Sequence, residues 1–138
     1  ALYRIPKTMK LTDYLAALPG TPFDWRERNC CHFAAAWVQA REGTSPMAAL
    51  EPTDDAEAAR HQINALGGDL VKAGTHCLRR APMQAQWAQF GDVVVVPANT
   101  EGGLAAGICT GDQVAVLLES GAVGFFPLSV GRAAWRIA

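Results

Sequence analysis

The chain has 138 residues, half of them apolar and 18% charged, with a formal net charge of −1. That is one domain's worth of globular sequence, enough to bury a single core, and it excludes a disordered tail and a basic nucleic-acid binder. The longest apolar run falls far short of a bilayer span and the start shows no basic-then-apolar leader pattern, so neither a membrane partner nor a signal sequence is expected.

Residues 1–7 show no periodicity and contain Pro6, which reads as an extended arm. Thr8 to Leu18 places Leu11, Leu15 and Leu18 on one face before the Pro19-Gly20 stop, a short helix. Thr21-Pro22 opens a polar loop that ends at Asn29, a strong N-cap residue type. A helix is predicted from Cys30 to about Arg41, closed by Gly43 as a left-handed cap, with Cys30, Phe33, Ala34, Trp37 and Val38 along one face. Ser45-Pro46 starts one short turn up to Leu50. Asp54, with Glu57 three residues on, reads as a capping-box variant opening a helix through Ala59, Ile63 and Leu66 to Gly67-Gly68.

From Asp69 to Gln89 the signal is mixed. Leu70-Val71 can continue a helical hairpin, His76-Cys77 falls in an irregular stretch, and Leu78 to Pro82 reads as extended. The period then changes to two. Val93–Val96, Ala105–Cys109, Val114–Leu118, Val123–Phe126 and Ala133–Ile137 are strand candidates separated by turn residues. One α+β domain over residues 1–138 is expected, mainly helical over 8–68 and an antiparallel sheet over 91–138, with the sheet packed on the Cys30 helix.

Cys30 is the candidate nucleophile, because a thiol at the positive end of a helix dipole ionises more readily than a free one. A cysteine hydrolase also needs a base and a group to orient it. His32 lies about 200° round the same helix, with Ala35, Ala36 and Gln39. His61 reads as a solvated helix residue, next to Arg60 and Gln62. His76 is the candidate base, since loops can approach a helix N-terminus. Cys30-Cys31-His32, His76-Cys77 and Cys109 carry donors suited to zinc or an iron–sulfur centre. Adjacent helical cysteines diverge by about 100°, however, and no C-x-x-C spacing occurs, so no metal or cofactor is expected and the four cysteines read as reduced thiols. The four tryptophans read as core anchors, and Phe125-Phe126 as one buried and one half-buried ring.

Trp25, the turn to Asn29-Cys30 and Phe33 together resemble the W-G-x-x-D-C-x-x-F entry to the nucleophile helix of NlpC-like cell-wall peptidases, bacterial relatives of papain. The likeness is closest to small single-domain members from phage and prophage tail gene clusters. Gly91-Asp92-Val93-Val94-Val95 is similar to the family's G-D-hydrophobic strand start, and Gly107-Ile108 to the end of its H-V-G-I strand. The resemblance runs from about Leu11 to Trp135. It implies a papain-like, NlpC-type fold in which helices pack on a small antiparallel five-stranded sheet or half-barrel.

The same resemblance implies Cys30 as nucleophile, a histidine at the strand start and a third polar residue one strand later. Ala105 falls at the histidine position, Val116-Leu117 at the third, and Asn29 stands for the usual Asp. An alanine cannot take a proton. The leading expectation is therefore a structural component of a phage tail tip or tail-assembly complex, resident in the virion, with other tail proteins as partners and a degenerate catalytic pair. The alternative is an active cysteine peptidase or amidase that opens peptidoglycan peptide cross-links during DNA entry, with Cys30 as nucleophile and His76 as base.

Overall fold

Four helices come first and five strands follow, in a computed structural model that describes residues 5–18, 22–98 and 103–138. The helices are α1 (Leu11–Ala17), α2 (Cys30–Glu42), α3 (Ala56–Ala65) and α4 (Leu70–Leu78). The strands are β1 (Val93–Pro97), β2 (Leu104–Cys109), β3 (Gln113–Leu117), β4 (Val123–Pro127) and β5 (Ala133–Trp135). They form one antiparallel sheet in the order β4-β3-β2-β1-β5. The expected α+β layout with a five-stranded antiparallel sheet is present. Most of the arm, the Pro19-Gly20 stop and Thr21 lie outside the described residues.

Alternation along the strands divides the core into two layers, as the pleat requires. Val93, Val95, Ala106, Ile108, Ala115, Leu117 and Trp135 face α2. Val94, Val96, Ala105, Cys109, Val114, Val116 and Ala134 form the opposite layer, closed by single helical turns at Ala85–Trp87 and Leu128–Val130. α2 is buried nearly all round, because the sheet covers one side and Tyr14 of α1 stacks on its Phe33 and Trp37 rings at 5.4 and 6.2 Å. Among the described residues no helix is long and apolar enough to cross a membrane.

Several local expectations are corrected. α3 is capped by Asp55, whose carboxylate accepts from the Ala58 N–H at 2.8 Å, while Asp54 pairs with Arg26 at 2.7 Å. An acid already held by a guanidinium is not free to cap. The His76-Cys77 stretch is helical: α4 runs on to Leu78, opened by Asp69, which accepts from the Lys72 N–H at 2.8 Å. Trp87 is 62% exposed because Ala85 takes the inward position of its turn. Phe125 is 52% exposed and Phe126 half-buried, since α2 packs chiefly on β2 and β3 and leaves the edge strand β4 less covered.

Candidate functional site

A tight loop sets the start of α2. Asp24 and Arg28 exchange backbone hydrogen bonds of 3.2 and 2.7 Å, and the Asp24 carboxylate accepts from the Arg26 N–H at 2.8 Å. The chain therefore doubles back and delivers Asn29 to the helix mouth. Asn29 is buried, and its side-chain oxygen accepts from the His32 N–H at 2.9 Å. In return His32 Nδ1 accepts from the Asn29 N–H at 3.5 Å, completing a capping box. The Asn29 amide also donates to the Trp25 carbonyl at 3.0 Å, a bond no carboxylate could make. That is the physical reason for asparagine where the resembled peptidases carry aspartate.

Cys30 is the first residue of α2 and packs against the sheet layer that contains Ala105. Its thiol is held below the ordinary range by a hydrogen bond with the Cys31 thiol first, then by backbone N–H groups of Ala106, Cys31 and Cys30 itself, against the opposing effect of burial. The Cys31 thiol is pushed well up by that same contact and by burial. The two side chains diverge into different core layers, as their helical spacing requires.

No imidazole contributes to the state of Cys30. His32 is spent on the cap, in a pocket it shares with Ala35, Ala36 and Gln39, and burial lowers its pKa. His61 faces solvent and reaches Glu57 at 3.6 Å. His76 is exposed on α4, while its neighbour Cys77 is the side chain turned towards the interior. The candidate base is thus not brought to the candidate nucleophile. β2 presents the methyl group of Ala105 to the layer that Cys30 joins. Val116 and Leu117 are both buried and apolar.

Cys30 opens on a cleft of about 190 Å³ whose walls include Phe23, Trp25, Asn64, Asp69, Leu104 and Glu119. Phe23 and Trp25 meet edge-to-face at 5.0 Å on one side of it. The arrangement places a thiol of lowered pKa in the wall of a partly aromatic cleft. Among the described residues no imidazole is placed beside that sulfur. Among the described residues no set of three His, Cys, Asp or Glu is placed to hold a metal ion.

The motif Gly91-Asp92 has a role that the sequence reading missed. Asp92 is 1% exposed and accepts from the Gln89 and Ile137 N–H groups and from Arg136 Nε, at 2.8, 3.0 and 2.8 Å. Gly91 turns the chain at φ 91°, and its carbonyl accepts from the Trp37 indole at 2.9 Å. The pair locks β1, α2 and the last residues together. A buried acid beside a turn glycine was the available signal, but its partners lie far along the chain.

No curated protein sequence matches this chain. The model of a family described as a domain of unknown function, DUF6950, matches residues 3–137. The chain therefore belongs to the DUF6950 family.

Proposed function

We propose that this chain is a structural component of a phage tail tip or tail-assembly complex, built on a papain-like, NlpC-type fold that has lost its catalytic base. The observation that carries the loss is the surroundings of Cys30: it packs with the sheet layer that contains the methyl of Ala105, and no imidazole acts on its thiol. Amide cleavage by a thiolate requires a proton for the departing amine, normally supplied by the histidine that first acted as base. Here His76 points to solvent and His32 is engaged in the helix cap. Support for the fold comes from the order helix mouth, Gly-Asp strand, Gly-Ile strand. The virion location, tail-protein partners and peptidoglycan connection rest on the sequence resemblance.

The depressed Cys30 thiol and its open cleft favour one second reading, an active peptidoglycan endopeptidase with Cys30 as nucleophile. Incubation with purified peptidoglycan separates the two. We expect iodoacetamide to label Cys30 while no new free amines are released. Amine release that disappears in Cys30→Ser would overturn the degenerate reading. For the location, an antibody against the chain should decorate the tails of phage particles from the encoding bacterium, and particles free of the protein would refute it.

A further inference from the structure

α3 covers a cavity that its own side chains do not fill. The space, about 90 Å³, lies between α3, the inner faces of α2 and α4, and the sheet at Val93, Val95 and Ala106. Small residues make the room: Ala34, Ala73 and Ala106 stand where longer side chains would close it. Its lining is mainly apolar, with Asn29, Thr53 and Gln62 as polar members, and such a space offers water few partners. The helix above it is unusual in the complementary way. Ala59, Ile63 and Leu66 form an apolar stripe facing the chamber, yet no residue of α3 is buried. An amphipathic helix on a filled core normally buries that stripe. Two glycines at φ 148° and 115°, Gly67 and Gly68, turn the chain from α3 into α4.

We propose that this chamber binds a single-chain aliphatic ligand with an uncharged head, lying beneath α3. A chain is favoured over a ring because the chamber shares Asn29, Cys31, Ala59, Ile63 and Leu70 with the cleft of about 190 Å³ at Cys30, so that two spaces adjoin in line beneath one helix. The head follows from the cleft's charges. Asp69 and Glu119 line it against the single guanidinium of Arg60, so a carboxylate head would meet net negative charge. The site is independent of the tail-component reading, since it needs neither catalysis nor a protein partner.

The test uses the full chain with 1-octanol as probe, followed by calorimetry and by tryptophan fluorescence, to which Trp135 in the chamber wall contributes. Saturable binding is expected, with a melting temperature that rises with octanol concentration and slower alkylation of Cys77. Ala59→Phe plugs the space from a half-buried helical position and should weaken octanol binding by about tenfold or more while keeping the circular dichroism spectrum. Ile63→Asp repeats the test if the plugged variant fails to fold. Glu57→Ala, outside the chamber, should bind as the parent does, and octanoate should bind less tightly than octanol. Absence of saturable octanol binding, unchanged affinity in the folded plugged variant, or tighter binding of octanoate would overturn the proposal.

Discussion

At Gly107 a Cβ would stand 2.4 Å from the Ala115 carbonyl oxygen and under 3 Å from the Val114 and Val116 methyl groups. β2 and β3 approach closely at this point. Gly107→Ala should therefore destabilise the protein by about 1–3 kcal/mol, since the strands must part to admit the methyl. Urea denaturation measures it, and an unchanged midpoint would show that the approach is not needed. Gly107 was legible only as one letter of a family pattern. The contact that requires a glycine comes from a neighbouring strand and carries no local signal. Asn29 is similar: in sequence it is a departure from the expected aspartate, in space its amide is the donor to Trp25.

Among the elements, α2 was read almost to the residue, because an N-cap asparagine, a periodic stripe and a cap glycine are local features. His32 is the part that sequence spacing did not supply. Its neutral Nδ1 closes the capping box, and burial depresses its pKa below the ordinary histidine value. The folded state thus binds this proton less readily than the unfolded chain. Stability from the neutral ring is complete above the unfolded value of about 6.5 and is lost as pH falls through the lower folded one. Thermal melts across that window should show a decline that flattens in His32→Gln. An identical pH profile in the variant would remove His32 from the cap's energetics. α4 was obscured for a different reason. Gly74 and the β-branched Val71 and Thr75 weaken its helical signal, but a Cβ at Gly74 would stand 2.9 Å from the Trp135 ring. Packing against β5 dictates the glycine, and His76 is carried outward on the helix that results.

Across the whole molecule, the last residues act as a fastener. Asp92 takes the Arg136 guanidinium and the Ile137 N–H, while Glu42 binds Arg80 through two contacts of 2.8 and 2.7 Å and accepts from the Ala138 N–H. Arg80 also donates to the Arg136 carbonyl at 2.8 Å. These bonds join the C-terminal end of α2, the segment after α4 and the strand β1 into one unit. Asp92→Ala strands the buried Ile137 N–H and the part-buried Gln89 N–H and should cost about 2–4 kcal/mol. The denaturation midpoint reads it, and a loss under half a kilocalorie, roughly that of an ordinary surface change, would show that the fastener is dispensable.

The amino-acid order by itself determined the five strands, the limits of α2 and the placing of Cys30 at a helix mouth. Alternation, caps and turn glycines act over a few residues and need no distant partner. Only the tertiary structure decided what meets the sulfur, because Cys30 and Ala105–Ala106 belong to opposite halves of the chain and come together through the packing of α2 on β2. It likewise decided that His76 faces solvent, that Asp92 is a structural acid, and that small side chains from three elements leave a chamber under α3. Each of these is a relation between surfaces, fixed by how apolar faces are buried together.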